Sequence, residues 1–172
     1  MARDRLSLPA PFEQIVEQHE REIMRYLLRV TGNREDAADL FQETWLRAYR
    51  AYSRLAPDMN IRPWLYAIAV NLSRNRARDG ARRARMIVAD GAAKLEANTK
   101  REIHRSLNEN DGYAAVHMRE LISALPARQR EALHLRYFAG LEYQEIAVVM
   151  DCSQQSARAN VSQAVRKLKA MW

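Results

Sequence analysis

The sequence predicts an all-α protein: two small helical domains joined by a flexible linker, the second ending in a helix-turn-helix. Three observations carry this expectation. Apolar residues recur at three- and four-residue steps through most of the chain, strand-type alternation is absent, and a weakly periodic polar stretch separates two groups of such segments. A chain of 172 residues that is 48% hydrophobic can bury one moderate core or two small ones. The expected bounds are 10–85 for the first domain, 86–112 for the linker and 113–172 for the second domain.

In chain order, a short lead with Pro9 and Pro11 precedes a first helix over 12–30, in which Phe12, Ile15, Val16, Ile23, Tyr26, Leu27 and Val30 fall at helical spacing. Thr31-Gly32 ends it and Asn33 can cap the next segment. The second helix, 34–52, is expected to bury Ala37, Leu40, Phe41, Trp45, Leu46 and Tyr49 on one side. Its other side carries Asp39, Gln42 and Glu43 at i, i+3 and i+4, hence in one patch, which by itself reads as solvated surface. Pro57 breaks the pattern, so 53–62 is expected as a loop. Pro63 suits the first turn of a third helix with an apolar stripe of Trp64, Leu65, Ile68, Ala69 and Leu72. The polar side of that helix is a ridge of Asn71, Arg74, Asn75 and Arg78, continued by Arg82, Arg83 and Arg85. With aromatic residues at its start, the ridge suits single-stranded nucleic acid: cations hold the backbone and planar groups take unstacked bases.

From Gly80 the composition loosens, and Asn108-Glu109-Asn110-Asp111-Gly112 is a strong breaker. The second domain then reads as a helix over 115–125, a break at Pro126, a helix over 127–138, and a helix-turn-helix over 141–169. In its first segment Ile146, Val149 and Met150 share a face on which Ala147 permits close approach. Asp151-Cys152-Ser153 makes the turn and Ser153 caps the second segment, which buries Ala157, Val161, Ala164, Val165 and Leu168. The outer face carries Gln154, Gln155, Arg158, Asn160, Gln163, Arg166 and Lys167. Amides pair bidentately with adenine, arginine pairs with guanine, and the distal cations suit phosphates. An ordinary amphipathic surface helix accounts for the same pattern equally well, so these residues alone leave both readings open.

A net charge of +7 favours a polyanionic partner, nucleic acid or an anionic membrane surface. No apolar run is long enough to span a bilayer, and the amino terminus lacks a signal-peptide core, so a cytoplasmic protein without membrane insertion is expected. The single Cys152 excludes an internal disulfide, and the four histidines lack metal-ligand spacing. Neither a phosphate-cradling glycine loop nor a catalytic constellation stands out, so no metal, no cofactor and no enzymatic activity is expected.

The stretches 35–52 (EDAADLFQETWLRAYRAY), 61–78 (IRPWLYAIAVNLSRNRAR) and 125–168, the last beginning LPARQREALHLRYFAGLEYQEIA, resemble in this order a bacterial sigma factor of the extracytoplasmic-function group. The resemblance implies that Asp39, Gln42 and Glu43 bind core RNA polymerase at the clamp helices of its largest subunit. It implies that Met59, Asn60, Arg62, Asn71, Arg74, Asn75 and Arg78 recognise and help melt the minus-ten element as single-stranded DNA. It implies duplex minus-thirty-five reading by the second domain, with Arg158, Asn160 and Gln163 on the bases. The same domain would touch the flap of the second-largest subunit, and the linker would thread toward the RNA exit path. An anti-sigma factor and a role in stress responses belong to the same expectation. The sequence departs from the family where Asn160, Gln163 and Val165 replace commoner basic residues. Asp151 also stands where a glycine is usual, though aspartate tolerates a left-handed backbone.

Two other readings compete. A sigma-like decoy for an anti-sigma protein would need neither Gln42-Glu43 nor the arginine ridge, and a dimeric helix-turn-helix regulator would need a ligand pocket and a dimer helix that the sequence does not offer.

Overall fold

A computed structural model describes residues 11–56, 58–89 and 113–172, and all regular structure among them is helical. The elements are α1 (Phe12–Thr31), α2 (Arg34–Tyr52), α3 (Ile61–Ala89), α4 (Tyr113–Ser123), α5 (Ala127–Leu133), a π-helical turn (His134–Phe138), α6 (Tyr143–Met150) and α7 (Gln154–Met171). Residues 1–10 and 90–112, including most of the expected linker, lie outside the described residues.

The hinge between α1 and α2 follows from local chemistry. Gly32 takes a left-handed φ of 65° and its N–H donates to the Leu28 carbonyl, while Asn33 Oδ1 accepts the backbone N–H groups of Glu35 and Asp36. The two helices then pack antiparallel through Ile15, Ile23 and Leu27 against Ala37, Leu40, Trp45 and Ala48. Phe12 closes the far end, with ring centroids 5.3 Å from Tyr49 and 5.4 Å from Tyr52. Two expectations fail here. Leu46 is 43% exposed and Tyr49 64% exposed, because the buried stripe runs through Thr44 and Ala48 and leaves them on its flank.

The third helix begins at Ile61, two residues before Pro63, and continues through Gly80 to Ala89. It packs on α1 and α2 with one side and on α6 of the second domain with another. This explains why it buries Tyr66, Val70 and Ser73 beyond the stripe read from the sequence. A helix between two partners has no single apolar face for periodicity to find.

In the second domain the helix after Pro126 is α-helical only to Leu133. A π turn follows, with the Ala139 N–H donating to the His134 carbonyl, and Gly140 at φ 67° redirects the chain. Glu142 and Glu145 form a reciprocal capping box on α6. Asp151 has φ 50° and ends α6 in a left-handed residue, and Ser153 Oγ accepts the Ser156 N–H to start α7, so the expected turn and cap are both present. One apolar cluster runs across both domains, joining Leu65, Tyr66, Ala69 and Val70 to Leu135, Ile146, Val149, Met150, Ala157 and Val161. A second, smaller one holds α4 to α5 and α7 through Ile122, Leu125, Leu133 and Ala164.

Candidate polymerase and nucleic-acid interface

Three surfaces carry the residues singled out above. On α2, Asp39 and Gln42 are exposed and Glu43 is half-buried, its carboxylate accepting from Arg47 Nε at 2.6 Å. Leu46 lies one turn beyond Gln42 and Glu43, so the patch joins polar groups to an exposed apolar side chain. The sequence reading missed Leu46 by assigning it to the core. Arg76, also missed, reaches from α3 to pair with Asp36 and stands 3.8 Å from Asp39, tying the patch to the third helix.

On α3 and the turn before it, the expected residues divide into two groups. Met59, Asn60, Asn71, Asn75 and Arg78 are exposed, and Arg78 joins Arg82, Arg85 and Met86 along one shallow groove. Arg62 and Arg74 are half-buried and already engaged. Arg62 donates to Glu22 from Nε, 3.2 and 3.0 Å from the two carboxylate oxygens, and from Nη2 at 2.9 Å, and donates as well to the Ala139 carbonyl. Burial pushes the Glu22 carboxyl up, but hydrogen bonds and charge from Arg62 and His19 outweigh it, and its pKa ends below 4.5. Arg74 donates Nε to Glu131 at 2.8 Å and its Nη2 to the other oxygen of the same carboxylate. That fork holds the guanidinium pKa above its ordinary value. Asn71 Oδ1 sits 3.4 Å from Arg74 Nη1, and Asn60 Nδ2 donates to Glu145 at 3.2 Å.

On α7, Gln154, Gln155, Arg158, Gln163, Arg166 and Lys167 are all exposed to solvent. The Arg158 guanidinium lies over the Tyr143 ring, 5.1 Å from its centroid, and Gln163 accepts from Gln129 at 2.8 Å. Asn160 is half-buried and donates to the Ser156 carbonyl at 2.9 Å, which makes it the least available of the set. The geometry suits a helix laid along a groove: amides and Arg158 toward the amino-terminal half, cations toward the other end. Among the described residues, no group of three or more His, Cys, Asp or Glu side chains could hold a metal ion, and no helix is long and apolar enough to cross a membrane.

Comparison with known proteins gives a consistent result. Residues 15–83 match the family model of sigma-70 region 2, and residues 117–168 match that of sigma-70 region 4. The chain is 31% identical over 159 residues to the RNA polymerase sigma-H factor of Pseudomonas aeruginosa, covering 89% of this chain and 81% of that protein. It is 32% identical over 148 residues to the ECF RNA polymerase sigma factor EcfG of Rhodopseudomonas palustris, covering 85% and 76%. Among solved structures, the Bartonella quintana sigma factor RpoE, determined with the anti-sigma factor NepR, has a similar fold. Its TM-score is 0.71 at 21% identity, over 92% of this chain and 94% of that one. CnrH, solved with the cytosolic domain of CnrY, gives a TM-score of 0.66 at 21% identity, over 93% and 86%.

Proposed function

The chain belongs to the extracytoplasmic-function sigma factors of bacterial RNA polymerase, and on that footing we propose which surface does what. The chain is a promoter-specificity subunit for transcription initiation. Residues 10–85 form the domain that binds core polymerase and the minus-ten element, 86–112 the linker, and 113–172 the domain that reads the minus-thirty-five duplex. Asp39, Gln42, Glu43 and Leu46 meet the clamp helices of the largest subunit, and part of the second domain meets the flap of the second-largest. Met59, Asn60, Asn71, Asn75 and Arg78, with Arg62 and Arg74, serve the melted minus-ten strand. The α7 face of Gln154, Gln155, Arg158, Asn160, Gln163, Arg166 and Lys167 lies in the major groove. RNA synthesis itself belongs to the core enzyme, and the protein works in the cytoplasm with it. An anti-sigma protein that covers these faces in the resting cell completes the proposal.

One observation carries this assignment: the α2 patch and the α7 face are exposed on separate helices, so one chain can hold polymerase and duplex DNA together. Pull-down with purified core polymerase tests it. A folded Gln42→Ala/Glu43→Lys double variant is expected to lose core binding, and its thermal midpoint is measured alongside because Glu43 is half-buried and paired with Arg47. Undiminished capture would remove the patch from the interface.

A further inference from the structure

Arg158 is held differently from the two half-buried arginines of α3. Arg62 and Arg74 meet the carboxylates of Glu22 and Glu131 and spend guanidinium N–H donors on them. Arg158, exposed in the second turn of α7, instead lies over the Tyr143 ring, 5.1 Å from its centroid. An aromatic face attracts a cation through its quadrupole and supplies no lone pair. The five N–H donors of the guanidinium therefore stay available for a base edge while the side chain is restrained. The ring itself is well anchored. Tyr143 opens α6, half-buried against the larger apolar cluster, and its neighbour Glu142 forms the capping box with Glu145. Arg136 also lies over the ring, at 4.8 Å, and is fixed in turn by the Leu141 carbonyl and by Glu142, each at 2.9 Å.

We propose that Tyr143 is a positioning residue for promoter reading: its ring restrains Arg158 and thereby sets how sharply that arginine discriminates one base pair. An exposed arginine is rich in rotamers and loses that freedom when it pairs with a base. A platform that already limits the rotamers reduces the loss. The benefit falls mainly on the paired bonds to a base edge, which need one orientation of the fork. Attraction to a phosphate gains less, because a mobile cation meets it from many rotamers. Tyr143 therefore sharpens base preference more than it raises total affinity.

The proposal rests on the reading of duplex DNA by Arg158, and its test separates the two. The probe is a pool of duplex promoters randomised over the minus-thirty-five element, bound by polymerase carrying the full chain. Arg158→Ala first identifies the position whose base preference it relaxes. Tyr143→Leu is expected to lower discrimination at that same position about threefold, whereas Tyr143→Phe, which keeps the aromatic face, should stay within about 1.5-fold of wild type. Adding Tyr143→Leu to Arg158→Ala should cost no further discrimination there, a coupling that general loss of stability would not produce. Tyr143→Met, which keeps apolar bulk against the core without a ring, takes the place of Tyr143→Leu if the latter does not fold. Unchanged preference at the Arg158 position in the ringless variants, or an equal loss in Tyr143→Phe, would overturn the positioning role and leave the reading by Arg158 intact. Unchanged preference at every position in Arg158→Ala would overturn that reading, and the proposal with it.

Discussion

Arg62 was expected among the DNA-contacting residues, yet its position gives it a structural task that Asn75 and Arg78 do not have. Its guanidinium binds Glu22 through two nitrogens, donates to the Ala139 carbonyl and approaches the Tyr66 ring at 5.6 Å. Arg62→Ala leaves the Glu22 carboxylate, whose side chain is 19% exposed, with only His19 and the Tyr66 hydroxyl. Breaking a fully buried pair costs roughly 3 to 5 kcal/mol and an exposed one 0 to 1. With Arg62 32% exposed, solvent screening places this pair between those limits, at about 2 kcal/mol. For a chain of this size that corresponds to a fall of about 4 to 8 °C in the thermal midpoint. Urea and thermal denaturation of wild type, Arg62→Ala and Arg62→Lys give the comparison, and the lysine variant should fall between the others because it keeps charge but loses the fork. The pH dependence supplies an independent check. Glu22 has a folded pKa below its unfolded value of 4.5, so its contribution is present above that value and lost as pH falls through the folded one. Arg62→Ala should flatten that acid limb. An unchanged midpoint together with lost single-strand binding would refute the structural role and return Arg62 to the DNA set alone.

Other expectations follow from the same geometry. Gly80 lies inside α3 with nothing within 4 Å of an added Cβ, so Gly80→Ala should raise stability by about 0.5 to 1 kcal/mol in urea denaturation. Burial, with the charges of Arg29 and Arg130, lowers the His134 pKa from 6.5 to about 4. Its contribution is therefore full above pH 6.5 and lost as pH falls toward 4, by ~3 kcal/mol at most, and His134→Leu should remove that slope. Arg158→Ala should cost about 1 to 3 kcal/mol and relax preference at one promoter position, whereas Lys167→Ala should weaken all duplexes alike and flatten the salt dependence. Binding selections on randomised duplex DNA distinguish the two.

What the sequence made legible was local. Asn33 as a cap, Gly32 as the end of α1, Asp151 as a left-handed residue, Ser153 at the start of α7 and the outward face of that helix all follow from contacts within a few residues. The contact between domains was not legible, because Arg74 and Glu131 are 57 positions apart and nothing in either segment's periodicity pairs them. Leu46 and Tyr49 were assigned to the core for a related reason. Their spacing fits a broad apolar face, but small Ala48 and hydrogen-bonded Thr44 fill the stripe and push them outward. The π turn at His134–Phe138 likewise has no signature in composition, although it sets where Phe138 and the Ala139 carbonyl meet α1 and Arg62.

The central claim is that this chain confers promoter choice and opening on a polymerase that lacks them. Run-off transcription with purified core polymerase, a pool of genomic promoter fragments and the full chain tests it most directly. Chain-dependent transcripts are expected, starting at fragments that share one pair of minus-ten and minus-thirty-five sequences. Pre-melting those fragments is expected to rescue Asn71→Ala, whose exposed amide lies on α3. A folded chain that binds core polymerase and yields no chain-dependent transcript from any fragment would contradict it.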